Sequence, residues 1–295
     1  MIVAVASGKG GTGKTTVSVN MARAMESPVL LLDCDVEEPN CNLFLGGERT
    51  SGETVSIPIP EVDEGACKHH GDCQRICEYN AILSLPTSTM VFPDLCHGCG
   101  GCTLACPEKA IREVEKRVGV INRISAGRIN LVEGRLDVGV ALATPVIREL
   151  KKFIVKDHSV ILDAPPGTSC PVVSTIQGCD FVVLVTEPTP FGLNDLALAV
   201  DMVRETGVPF GVVVNRMGIG DNRVHEFCRS QAIPIMLEIA DDRRIAEAYS
   251  KGMLVVDALP EYSEVFRNLW DDIRASVENA PSAMDVNLSE EEPNG

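Results

Sequence analysis

One short run limits what this chain can become. Gly8-Lys9-Gly10-Gly11-Thr12-Gly13-Lys14-Thr15 fits the pattern G-x-x-x-x-G-K-S/T, a loop that wraps phosphates. Its glycines let the backbone turn tightly, so that N–H groups converge on phosphate oxygens. The helix that follows presents the positive end of its dipole to the same charge. Lys14 is positioned to reach the β- and γ-phosphates, and the Thr15 hydroxyl to bind Mg²⁺. The competing reading is a flexible glycine-rich turn; with glycine at about 7% of average composition, a chance match in a chain of this size is on the order of one in a hundred. Context favours the phosphate loop. Met1–Ala6 before it reads as a short apolar strand, and Thr15–Met25 after it has helical composition.

The same alternation recurs along the chain. Val29–Leu32 ends in Asp33-Cys34-Asp35, Ser159–Leu162 in Asp163, Phe181–Val185 in Thr186, and Gly211–Val214 in Asn215, while Asn194–Glu205 and Asp241–Lys251 have helical spacing. This predicts an α/β fold with a doubly wound, mostly parallel sheet. Ligands of such sheets sit at the carboxyl ends of the strands, where Asp33, Asp35, Asp163 and Asn215 fall. Between about Ser51 and Ile111 the pattern breaks. Seven of the twelve cysteines lie there with Pro58, Pro60, Pro86, Pro93 and Pro107. The expected organisation is a nucleotide-binding domain in two parts, 1–57 and 116–280, with a small inserted α+β domain at 58–115. Residues 281–295, with Asp285, Glu290, Glu291 and Glu292, are expected to form a disordered acidic tail.

What the cysteines do depends on the compartment. The N-terminus lacks the basic start of a signal peptide, and no run approaches the roughly 20 apolar residues of a membrane span. A cytoplasmic location is expected, where clustered cysteines more often bind metal than form disulfides. Cys96-x₂-Cys99-x₂-Cys102-x₃-Cys106-Pro107 has the spacing of bacterial ferredoxin ligands, whereas a zinc site would use two separated pairs. Cys67, His70, Cys73 and Cys77 repeat it 29 residues upstream, and Ala81-Ile82 recurs as Ala110-Ile111 at the same offset. In two-cluster ferredoxins the fourth cysteine of each run serves the other cluster. One 4Fe–4S cluster is therefore expected on Cys96, Cys99, Cys102 and Cys77. A second would use Cys67, Cys73 and Cys106, with His70 where a cysteine is usual. That corner leaves three outcomes open: His70 as ligand, a 3Fe–4S cluster, or no metal. His70 as a plain surface histidine beside His69 is the bland alternative. Cys34, Cys41, Cys170, Cys179 and Cys228 show no ligand spacing and read as core.

Several segments together resemble the MinD/ParA/Mrp family of deviant-Walker P-loop ATPases, which includes nitrogenase iron protein. Lys9 gives the run Lys9–Thr16, with Thr16 at its end, the family's second loop lysine. Leu32-Asp33-Cys34-Asp35-Val36-Glu37-Glu38-Pro39-Asn40 resembles its switch I, and Ile161–Thr168, with Asp163 and Gly167, its Walker B and switch II. Val213-Val214-Asn215-Arg216 is similar to its adenine-recognition segment. The resemblance implies ATP-driven homodimerisation, with Lys9 of each subunit reaching the partner's phosphates, Asp35 orienting or activating water, Asp33 alongside, and Asp163 holding Mg²⁺. For Asp33 and Asp35 the alternative is turn formation after a strand.

Three functions compete. The first is nucleotide switching coupled to ferredoxin-type clusters through a short linker after Gly46, with a redox or iron–sulfur partner protein. The second is an iron–sulfur cluster carrier, although such carriers use a C-x-x-C pair in their C-terminal half that this chain lacks. The third is a positioning ATPase, disfavoured because the basic membrane-binding helix of that kind is replaced by acid. A net charge of −16 likewise argues against nucleic acid and gives no basis for membrane binding.

Overall fold

Buried apolar runs build the frame. The computed structural model describes residues 1–155 and 158–279; the tail expected from 281 lies outside the described residues. The first unit is β1 (Ile2–Ala6), α1 (Lys14–Ala24), β2 (Val29–Asp33) and a short α2 (Cys41–Leu45). Then come β3 (Glu48–Val62), α3 (Asp72–Ile76), β4 (Ile82–Leu85), β5 (Ser88–Val91), α4 (Gly101–Ala105), β6 (Ile111–Ala126) and β7 (Ile129–Leu136). The alternation continues with α5 (Ala143–Lys151), β8 (Ser159–Asp163), α6 (Cys170–Ile176), β9 (Phe181–Thr186), α7 (Pro190–Thr206), β10 (Phe210–Met217), α8 (Arg223–Ser230) and β11 (Ile235–Ala240). Helices α9 (Arg243–Ser250), α10 (Val255–Ala258) and α11 (Glu261–Glu278) close the described chain.

Nine strands form one sheet in the order β11-β10-β9-β1-β8-β2-β7-β6-β3. Pairing is parallel from β11 to β7 and antiparallel at β7–β6–β3. The parallel strands are covered on both faces, which is why they read as continuous apolar runs. In β1 the faces alternate. Ala4 and Ala6 pack with Ile147, Leu150, Val172 and Val200, and Val3 and Val5 with Met21, Phe266, Leu269 and Trp270. Phe266, Leu269, Trp270 and Ile273 form the stripe that seats α11 beside α1. No described helix is long and apolar enough to cross a membrane.

The cysteine-rich segment is joined differently from the expectation. Instead of short linkers, two long strands leave the sheet together. Ala126 back to Gly119 of β6 pairs with β7, while Arg117 back to Ile111 pairs only with Ser56–Val62 of β3. The pairing register shifts between Val55 and Ser56, close to where β6 parts from β7. The boundaries expected at 58 and 115 thus fall inside a continuous antiparallel ribbon. Beyond it lie α3, α4 and the β4–β5 hairpin around a small core of Cys73, Ile82 and Ile111, with Val62, Cys77, Val91, Cys102 and Cys106 against it.

Candidate functional site

The phosphate loop joins the end of β1 to α1, and its shape depends on missing side chains. A Cβ on Gly8 would lie 2.1 Å from the Asp195 carbonyl oxygen. Gly13 has φ +96° and its Cβ would meet Asn215 Nδ2 at 2.4 Å. That Asn215 amide donates instead to the Thr12 carbonyl at 2.9 Å, tying the end of β10 to the loop. Gly10 and Gly11 stand exposed at the loop's outer turn. Thr16, in the first turn of α1, accepts at its carbonyl from Asn20. Gly167, at φ +95°, donates its N–H to the Ser7 carbonyl, joining the segment after β8 to the loop.

Beneath the loop the acidic groups converge. The Thr15 hydroxyl donates to Asp163 Oδ2 at 2.6 Å, and the Ser18 hydroxyl to Oδ1 at 2.8 Å. Lys14 Nζ lies 3.9 Å from Asp35 Oδ2. Burial first, with Asp163, Glu38 and Glu37 adding repulsion and Lys14 opposing, raises the Asp35 carboxyl to about 6. Asp33 is wholly buried and accepts three backbone N–H groups, from Asp35, Asn40 and Cys41. In this conformation it organises the turn after β2, the alternative considered for it above. Burial and then the Asp163 charge push it up to about 8.

One ligand atom each from Asp33, Cys41 and Asp163 lies within 4.8 Å of the others. Two buried carboxyls this close repel one another, and a divalent ion between them relieves that repulsion. Thr15 and the two carboxyls are oxygen donors suited to Mg²⁺, so the donor set fits that ion. Cys41 had read as core, and only the fold brings it here. Two buried oxygens, Thr12 Oγ1 and Asn40 Oδ1, have no partner among the described residues, as expected where a polar ligand binds.

Lys9 and Arg216 converge on Glu187, a residue that the sequence did not single out. Lys9 Nζ lies 3.9 Å from Glu187 and 4.0 Å from Asp195, and Arg216 Nη1 lies 3.1 Å from Glu187. Arg216 adopts φ +56°. The second loop lysine is therefore held against acids of its own chain. A carboxylate one residue past β9 has no motif, so nothing in the sequence marked it.

The cysteine-rich segment encloses two cavities. Cys77, Cys96, Cys99 and Cys102 line one, with Ile76, Tyr79 and His97 at its edge. Cys67, Cys73 and Cys106 line the other, together with His69 and His70. Cys77 and Cys106 have thus each crossed to the cavity of the other run. Cys77 and Cys106 accept matching N–H groups from Ala81 and Ala110, each at 3.3 Å. At the unusual corner, His70 Nε2 is 3.0 Å from Glu108. It is the neighbouring His69 whose Nδ1 lies 3.5 Å from Cys67 Sγ and 3.2 Å from Thr89 Oγ1. Adjacent histidines cannot be ranked by spacing alone; His69 also has a positive φ of 56°.

A family model described as the CobQ/CobB/MinD/ParA nucleotide binding domain matches residues 3–255. An uncharacterized protein of Methanocaldococcus jannaschii is 33% identical over 279 residues, covering 92% of this chain and 98% of its own. A protein of Aquifex aeolicus named iron-sulfur cluster carrier protein is 26% identical, covering 90% of this chain and 64% of its own. Among solved structures, the cell division ATPase MinD of Pyrococcus furiosus has the same fold, with a TM-score of 0.58 at 21% identity over 93% of this chain and 98% of its own. The parallel sheet, the loop after its central strand and the match over most of the length agree: the chain belongs to the CobQ/CobB/MinD/ParA family of nucleotide-binding proteins.

Proposed function

We propose that this protein is an ATPase whose nucleotide state is coupled to two ferredoxin-type iron–sulfur clusters, with a redox or regulatory output. The observation that carries the reading is the exchange of Cys77 and Cys106 between two cavities. Local zinc pairs have no need of that exchange, whereas it is the ligand pattern of two-cluster ferredoxins. The donor sets fit, with four thiols around one cavity and three thiols with a histidine pair around the other. When bound, such clusters supply one-electron transfer.

At the nucleotide, Lys14 and the loop N–H groups hold the phosphates, and Thr15 with Asp163 holds Mg²⁺. Asp35 orients the attacking water, while Asp33 acts as a positioning residue through its three N–H bonds. Lys9 leaves Glu187 and Asp195 to meet the phosphates of a second copy of the chain, so that ATP drives the homodimer. Adenine is read near Asn215 and Arg216. The insert, 58–115, moves with the switch region because β3 and β6 run through both parts. The test is anaerobic reconstitution with iron and sulfide counts and EPR. We expect one stable 4Fe–4S cluster and a second, more labile one; fewer than four irons per chain would refute the reading.

A carrier role is the second reading, favoured by the relative named as an iron-sulfur cluster carrier. ATP-triggered transfer of a labelled cluster to an apo-acceptor supports it. A shift of cluster midpoint potential with nucleotide state supports redox coupling.

A further inference from the structure

A cavity of about 370 Å³ opens between α2, the root of β3, β6 and β7. It is separate from both the phosphate loop and the cysteine cavities. Asn42, Arg49, Asn122, Glu133 and Arg135 line it. Glu133 is only 2% exposed and Asn122 only 7%. Glu133 Oε1 accepts from Asn122 Nδ2 at 3.2 Å. That leaves three buried oxygens, Glu133 Oε2, Asn122 Oδ1 and Asn42 Oδ1, without a partner among the described residues. A buried acceptor left unpaired is costly, so three along one cavity describe a binding surface for a donor. At the same cavity the Arg49 and Arg135 side chains have no hydrogen-bond or ion-pair partner among the described residues.

We propose that this cavity binds a small zwitterion of the α-amino-acid class. Its ammonium group would donate to the three oxygens, and its carboxylate would be gripped by the arginine forks. A bare metal ion would satisfy the oxygens but face two guanidinium charges; a simple anion would satisfy the arginines and leave the oxygens dry. Only a molecule carrying both charges answers both halves of the lining.

The position makes this an effector site. Glu133 lies opposite Asp33 in the β2–β7 register. Asn42 sits one residue beyond Cys41, whose N–H holds Asp33. A molecule bridging Asn42 to Glu133 would tie the switch segment to the ribbon that carries the insert.

The experiment is calorimetric titration of the full, anaerobically purified chain. The probes are each standard L-amino acid, with methylammonium and acetate as the two halves and glycine betaine as a zwitterion lacking N–H donors. At least one amino acid is expected to bind once per chain with Kd of about 1 mM or tighter, and both halves and betaine at least about tenfold more weakly. Glu133→Gln and Arg135→Met should each weaken it by about tenfold or more. Should Glu133→Gln fail to fold, Arg135→Met, at an exposed position, carries the test. The proposal is overturned if no amino acid binds, if methylammonium or betaine binds as well as the amino acid, or if Arg135→Met leaves Kd unchanged.

Discussion

The sheet and the cysteine insert are held together by different physics. In the sheet, apolar strands are buried on both faces by helices, and the phosphate site rests on that frame. In the insert, the core cluster has three buried residues among those described, Cys73, Ile82 and Ile111. Three further candidate ligands, Cys77, Cys102 and Cys106, pack against it with Val62 and Val91. Under the proposed function, a segment with so little apolar burial would lean on metal ligation for its stability. The nucleotide site should therefore be shaped before its ligand arrives, and the insert should be shaped by its ligand.

The sharpest way to break this contrast is to remove the metal. Chelation under anaerobic conditions, or Cys102→Ser, is expected to abolish amide protection between residues 63 and 110 while protection of β1, β8 and β9 persists; hydrogen exchange reads both. Equal loss in both regions would show that the two are one cooperative unit.

Next is Lys14→Ala. With its ammonium lost from beside Asp35, MgATP affinity should fall by about 10²-fold or more, with cluster content unchanged. Leu150→Ala removes a wholly buried side chain between α5 and the sheet and should cost about 2–5 kcal/mol in denaturant melts. Leu104→Ala, at 89% exposure on α4, should stay within about 0.5 kcal/mol.

The smallest effect is a matter of chemistry. Burial pushes the Cys179 thiol up to about 12 and Cys228 up to about 11, and Cys34 and Cys41 also rise through burial. Thiolate is the reactive form, so at pH 8 these four should resist iodoacetamide in native protein. Exposed Cys170 should react first, as mass spectrometry would show. Labelling of Cys179 at the rate of Cys170 would mean that the sheet opens more readily than its packing implies.

The strands that carry Asp33, Asp163 and Asn215 were legible because double burial writes itself as unbroken apolar runs, and the loop was legible because glycine has few substitutes there. The ribbon was not. Its Glu48–Thr54 stretch is exposed and polar, so no alternation marks it as strand, and a linker was the natural reading of the boundary. At the unusual corner spacing pointed to His70, while the fold also sets His69 beside Cys67, and adjacent residues are not distinguished by spacing. Asp33 was legible as a position but not as a role, since its three N–H partners lie two, seven and eight residues on.

The ribbon has a mechanical consequence. Seven residues of β3, Ser56–Val62, stand beyond the last strand shared with the sheet, about 24 Å at roughly 3.4 Å per residue. A mast of that height turns a root tilt of about 10° into a displacement of about 4 Å at its tip. β3 starts just after α2, through Gly46 and Gly47, both with positive φ, and crosses the sheet from Glu48 to Val55 before the mast begins. Under the proposed function, a small motion of the switch segment reaches the thiols enlarged, so that nucleotide would set their distance to an electron donor.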